Sequence, residues 1–113
     1  MSDCIFCKVV GGQIPSTKVF EDEQVYCFRD VNPQAPTHIL VVPKRHIATL
    51  LEAEDEKRLL GHAIAVATRL AREEGVAEDG FRLVWNCNRG AGQSVFHIHL
   101  HLLGGRAFGW PPG

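Results

Sequence analysis

Residues 95–103 read Val-Phe-His-Ile-His-Leu-His-Leu-Leu, with imidazoles at His97, His99 and His101 and aliphatic side chains at Ile98, Leu100 and Leu102. Successive side chains of a β-strand point to opposite faces, so this alternation predicts a strand with three His on one face and three hydrocarbons on the other. A helix would scatter the three rings around its circumference. Residues two apart on a strand sit about 7 Å apart, close enough for neighbouring imidazoles to act on one small substrate. Against an ordinary half-buried strand stands the concentration of three of the chain's six His in one strictly alternating run. The strand is therefore the candidate working surface.

The chain's 113 residues suit one domain with one core, spanning 1–113. A hydrophobic share of 45 % and a charged share of 22 % are those of a globular chain. A net charge of −1 argues against general nucleic-acid binding or a membrane surface, so phosphate recognition must be local. The N-terminal MSDCIFCKVV has no basic head before a long apolar run, and no apolar stretch approaches a membrane span. The expectation is a soluble, cytoplasmic protein. In that setting Cys4, Cys7, Cys27 and Cys87 read as thiols or metal ligands rather than disulfides.

Cys4-Ile-Phe-Cys7 offers two thiolates, half of a tetrahedral zinc shell, and His is the obvious source of the other half. A redox pair would be expected in a βαβ context, which is not visible here. A pair of small buried hydrophobes is the third reading. Further on, 18–21 and 24–29 read as strands around a turn at Asp22-Glu23, followed by a turn-rich stretch with Pro33 and Pro36. A third strand at 37–42 carries His38 and ends at Pro43, and Lys44-Arg45-His46 falls on a loop. The main helix lies within 52–74, with Glu52, Glu54, Asp55 and Glu56 at its start and Gly75 as its cap. Leu59, Leu60, Ala63, Ile64, Val66, Ala67 and Leu70 form its apolar stripe, and His62 within it is structural or exposed.

A fourth strand at 81–86 leads through Cys87-Asn-Arg-Gly-Ala-Gly-Gln-Ser94 into the His strand. Two glycines there allow a tight turn that presents consecutive N–H groups to an anion, beside Ser94. In the tail, Trp110 between Gly109 and Pro111 argues for docking rather than fraying. Three chemistries fit the imidazoles: nucleophilic attack on phosphorus, a catalytic zinc with an open position, and a metal clip on a binding module. His97 and His101 would stand roughly 13 Å apart on a strand, so one metal takes two of the three at most.

The motif His97-Ile-His99-Leu-His101-Leu-Leu resembles the signature of the histidine triad (HIT) superfamily. The similarity extends over Asp30-Val-Asn-Pro-Gln-Ala-Pro-Thr-His38, Val42-Pro-Lys-Arg-His-Ile47, Leu60-Gly-His62, Gly92-Gln-Ser-Val95, Leu103-Gly-Gly-Arg106 and the terminal Trp-Pro-Pro-Gly. These segments look like the nucleotide-binding protein branch of that superfamily and span nearly the whole chain. The resemblance implies an α+β fold: an antiparallel sheet of about five strands with one long and one short helix, continued across a homodimer. It implies a purine nucleoside phosphoramidase that hydrolyses AMP–amine conjugates. His99 would be the nucleophile, His101 the α-phosphate contact and His38 a supporting His. Gly92, Gln93 and Ser94 would form the phosphate loop, with Ser94 near the leaving group. Asp30 and Val31 would contact ribose and base, Asn86 would add a polar contact, and Trp110 would reach the partner's site. Cys4, Cys7, His46 and His97 would hold a structural zinc, with no catalytic metal. Dinucleoside polyphosphate hydrolysis or nucleotidyl transfer is the alternative within the superfamily, and a nucleotide-binding interaction protein the alternative outside catalysis.

Overall fold

The computed structural model describes residues 3–113. Its elements are α1 (Ile5–Val10), β1 (Lys18–Glu21), β2 (Val25–Arg29), β3 (Thr37–Pro43), α2 (Lys57–Glu73), β4 (Phe81–Trp85) and β5 (Leu100–Gly104). The strands form a five-stranded antiparallel sheet in the order β1-β2-β3-β5-β4. All seven residues of β3 are buried, because β2 and β5 flank both its edges and other elements cover both its faces. Ile39 and Val41 join Cys27, Leu100 and Leu102 against Ala63, Val66, Ala67, Leu70 and Ala71 of α2. Leu40 and Val42 point the other way, onto Phe6 and Val9 of α1. A strand covered on both sides loses the polar-apolar alternation, and its sequence becomes a continuous apolar run.

The long helix begins later than the acidic cluster suggests. Residues Leu50–Glu52 form a short 3-10 turn instead, capped reciprocally: Leu51 N–H donates to Thr49 Oγ1, while Thr49 N–H and Oγ1–H donate to Glu52 Oε1 at 2.9 and 2.8 Å. α2 then starts at Lys57 with Glu56 at its N-cap, and the Glu56 carboxylate pairs with Arg45 at 2.7 Å. Of the expected stripe, Ile64 is 42 % exposed while Ala71 is buried, so the apolar face is rotated toward Ala71. Gly75 follows the helix with φ +78°, and Val76 N–H donates back to Ala71 O, the left-handed ending foreseen for Gly75. His62 Nε2 meets Asp22 Oδ2 at 2.7 Å, tying α2 to the β1–β2 turn in a structural role.

The His strand is shorter than its alternation suggests. Val41 pairs with Leu100 and Trp85 with Leu100, and there both ladders stop. β3 ends at Pro43, which has no N–H to give, and β4 turns away after Trp85, so residues 95–99 have no strand on either side. The Ile98 N–H instead donates to Ile47 O at 2.8 Å. The alternation itself survives: Ile98, Leu100 and Leu102 are buried in the apolar clusters on one side, and His101 faces with Leu40 toward α1.

The tail is docked on its own chain. Arg82 and Arg106 guanidinium carbons lie 5.1 and 4.4 Å from the Phe108 ring centre, and Arg82 donates to Gly109 O at 2.9 Å. Trp110 beyond it is 84 % exposed. Among the described residues no helix is long and apolar enough to cross a membrane.

β5 packs tightly under the segment after α2: a Cβ added at Gly104 would lie 2.7–3.1 Å from the Val76 side chain. Gly104→Ala should therefore lower unfolding stability by about 1–3 kcal/mol, read as a shifted urea midpoint. Val76→Ala in the same chain should restore part of that loss, since it removes two of the three clashing atoms.

Candidate active site

The short helix α1 stands over the β2–β3 face of the sheet, and between them opens a cleft of about 310 Å³. Its apolar wall is built by Ile5, Phe6 and Val9 of α1, with Ile14, Phe28 of β2 and Leu40 of β3; its polar end is Asp30, Ser94, His99 and His101. Val31 lines the rim and is 95 % exposed. One end suits a flat apolar group and the other a small charged one.

Backbone groups determine where each imidazole keeps its proton. The Gln34 N–H donates to His38 Nδ1 at 3.0 Å, so that nitrogen carries a lone pair and the proton of neutral His38 sits on Nε2. His38 Nε2–H then donates to His101 Nδ1 at 2.9 Å, with Asp30 Oδ2 a further 3.4 Å contact. His101 consequently holds its own proton on Nε2. His99 Nδ1 lies 2.8 Å from His97 O, and a carbonyl can only accept, so Nδ1 is the N–H and Nε2 keeps the lone pair. His97 Nε2 lies 2.6 Å from Pro43 O, which leaves its Nδ1 as the lone-pair nitrogen. The ring centres of His99 and His101 are 4.9 Å apart. One ring thus offers a nucleophilic lone pair and its neighbour an N–H donor.

Burial keeps these rings neutral. Desolvation lowers His99, with the charge His38 would carry acting the same way, against the His97 carbonyl and Asp30. Desolvation lowers His38 too, opposed by Asp30. His101 is pulled down to about 4, first by burial and then by the charges His99 and His38 would carry, again opposed by Asp30.

His97 belongs to a different cluster. Its Nδ1 lies 3.3 Å from Cys4 Sγ, 3.5 Å from Cys7 Sγ and 3.2 Å from His46 Nδ1, and Cys7 Sγ lies 3.5 Å from His46 Nδ1. All four donor atoms fall within 4.8 Å of one another. Zinc bonds of about 2.3 Å to sulfur and 2.0–2.1 Å to nitrogen, at tetrahedral angles, require about 3.5 Å between S and N and about 3.3 Å between two N. The donor set fits that shell, and the His97 Nε2–H···O=C bond to Pro43 is the outer contact that aims a ligating imidazole. With four protein donors the shell would be closed, so such an ion would crosslink rather than activate water.

The glycine loop departs from expectation. The N–H groups of Ala91, Gly92 and Gln93 all donate within the turn, to Asn88 O or Arg89 O, so they are not turned toward an anion. A 3-10 turn at Arg89–Ala91, with Gly92 at φ 98°, consumes them. The Gln93 side chain is 3 % exposed and spans the loop: Oε1 accepts from Asn88 N–H at 2.7 Å, and Nε2 donates to Ala48 O and Val95 O. Gly92 and Gln93 shape the loop that delivers Ser94, and only Ser94 of the three lines the cleft. Asn86, at the end of β4, and Trp110 are outside the cleft lining, and His38 stands behind His101. The apolar wall from α1 went unread in the sequence. The signal was there in Ile5, Phe6 and Val9, apolar at one-turn spacing around the Cys pair.

In an unfolded chain an imidazole titrates near 6.5, whereas His101 titrates at about 4 in the folded protein. Between those values the unfolded chain binds a proton that the folded one does not, so this contribution makes stability fall as pH drops from about 6.5 to about 4, and is constant outside that window. The melting temperature of the wild type should therefore decline more steeply across that window than that of His101→Gln; parallel curves would show that His101 is not held neutral by its surroundings.

Comparison with known proteins places this geometry. The HIT domain family model matches residues 11–108. The chain is 50 % identical over 108 residues to a purine nucleoside phosphoramidase of Escherichia coli (strain K12), covering 95 % of this chain and 91 % of that one. It is 51 % identical over 115 residues to a 14 kDa zinc-binding protein of Zea mays, covering 99 % and 89 %. The crystal structure of a HIT family hydrolase from Legionella pneumophila Philadelphia 1 superposes with a TM-score of 0.95 at 54 % identity, covering 98 % of this chain and all of that one. A HIT-domain match over residues 11–108, with two of the three triad imidazoles lining the cleft and the third in the Cys/His cluster beside it, makes this chain a member of the HIT domain family.

Proposed function

We propose that this protein is a purine nucleoside phosphoramidase, hydrolysing adenosine 5′-monophosphoramidate and AMP–amine conjugates to AMP and amine. The observation that carries the reading is the His99 lone pair: Nδ1–H is committed to the His97 carbonyl, so Nε2 of this cleft-lining ring is unprotonated. The name of the E. coli relative, half identical over most of both chains, supports the substrate class.

The purine and ribose occupy the apolar wall, beside Asp30 and Val31. His99 Nε2 attacks phosphorus and forms a new P–N bond while the bond to the amine breaks. The bonding pair departs with the amine nitrogen, which takes a proton through Ser94 Oγ. His101 Nε2–H donates to the phosphoryl oxygen, supported from behind by His38, and the neutral imidazoles cost no charge repulsion before attack. Water then displaces His99, the P–N(His) bond breaks, AMP leaves, and the water's proton returns to solvent. Two easier displacements replace one hard one.

Around this centre, Cys4, Cys7, His46 and His97 hold a structural zinc; the name of the maize relative supports that choice of metal. Gly92 and Gln93 set the loop behind Ser94, and Asn86 is a more distant polar contact. The protein works as a homodimer of single 1–113 domains. Exposed Trp110 is directed to the partner, and edge strand β4 supplies a free ladder edge for it. A reducing, cytoplasmic setting keeps the thiolates available to the metal.

Brief mixing with an AMP–amine substrate should yield a transient AMP adduct by intact-protein mass spectrometry. His99→Ala should lose the adduct and at least about a thousandfold in turnover. Ser94→Ala should keep the adduct and form it about a hundredfold more slowly. Turnover that survives His99→Ala would overturn the covalent route, and AMP released only from dinucleoside polyphosphates would overturn the substrate class.

A further inference from the structure

Phe6 sits between Cys4 and Cys7 in sequence and between the metal cluster and the cleft in space. Its ring centre lies 6.1 Å from His97 and 4.8 Å from His99, nearly perpendicular to the latter at 87°, and 5.7 Å from Phe28. The same ring is part of the cleft wall. It therefore touches one imidazole of the metal-donor set, the proposed nucleophile, and the surface a base would cover.

What holds Phe6 there is unusual. α1 has six residues, far below the 12–15 that a helix needs to persist alone in water. Its N-cap is Cys4, whose Sγ accepts from Cys7 N–H, and both sulfurs belong to the donor set. A metal ion on that set would clamp α1 at both ends of its first turn to His46 and His97. Without that crosslink the helix is held by buried Phe6 and Val9, by partly buried Val10, and by the weaker side-chain contacts of Cys4 and Cys7 to His97 and His46.

We infer that Phe6 is a positioning residue that couples metal occupancy to nucleotide affinity: the metal fixes α1, and Phe6 conveys that order to His99 and the base wall. The inference rests on the nucleotide reading above and names a regulation of that same site. Coupling is reciprocal, so whatever factor the metal adds to AMP affinity, AMP must add to metal affinity.

The test measures both sides of that cycle. AMP affinity is titrated by calorimetry on the zinc-loaded protein and after chelation. Zinc affinity is then measured by competition with a chromophoric chelator, with and without saturating AMP. Zinc should tighten AMP about tenfold, within the usual range for coupled sites, and AMP should tighten zinc by the same factor. Phe6→Ala should retain zinc and reduce both factors toward one; if it does not fold, Phe6→Leu, which keeps an apolar anchor without the ring, carries the same expectation. Equal AMP affinity with and without zinc would overturn the coupling while leaving the nucleotide reading intact. Coupling of full size in the folded Phe6 variant would show that it runs by another route, such as the His99 Nδ1–H bond to His97 O, and equally overturn the proposal. No AMP binding to the zinc-loaded protein would overturn the nucleotide reading, and this inference with it.

Discussion

The pairing of β3 with β5 is the contact on which the site depends. Leu40 stands opposite His101 and His38 opposite Leu103, so the two imidazoles are diagonal neighbours on the face turned to α1, and Ile39 and Leu102 face α2. A slip of one residue would exchange the faces and drive His101 into the hydrocarbon core. The buried apolar face thus enforces the register that brings His38 to 2.9 Å from His101. The geometry of the candidate site here is a by-product of core packing.

The second constraint is directional. Imidazoles can hold a proton on either nitrogen, and nothing in their composition says which. Here the Gln34 N–H and the carbonyls of His97 and Pro43 choose for three of the rings, and His101 follows from His38. Each choice also satisfies a buried polar atom, and among the described residues no buried side-chain nitrogen or oxygen lacks a partner. Satisfying the interior and aiming the lone pairs are one arrangement, which is why the rings can be buried and neutral without cost to the chemistry.

The early end of the β5 ladder divides the triad. Where the ladder holds, His101 is locked in the sheet. Where it has ended, His97 lies within reach of the two sulfurs and His46, and His99 lies between the two environments. The three rings that look equivalent in sequence thereby enter different chemical surroundings two residues apart.

The alternation at 95–103 was enough to determine that hydrocarbons and imidazoles part to opposite faces, because side-chain direction in extended backbone is local. The central strands were legible as short apolar runs bounded by turn residues and the bulk of α2 by its helical period, and the Cys4–Cys7 spacing offered half of a metal shell as one of three readings. The ladder's end at Leu100 was not legible, because it depends on where Pro43 and Trp85 leave their own strands. The exact start of α2 was not legible, because Glu52 answers to Thr49, a local cap that competes with a helix start. The role of Gln93, the closed N–H groups of the glycine turn, the α1 wall and the proton positions were all decided by tertiary structure. Each is set by a partner distant in sequence or by a backbone group whose direction exists only once the chain is folded, and composition and spacing carry no record of that direction.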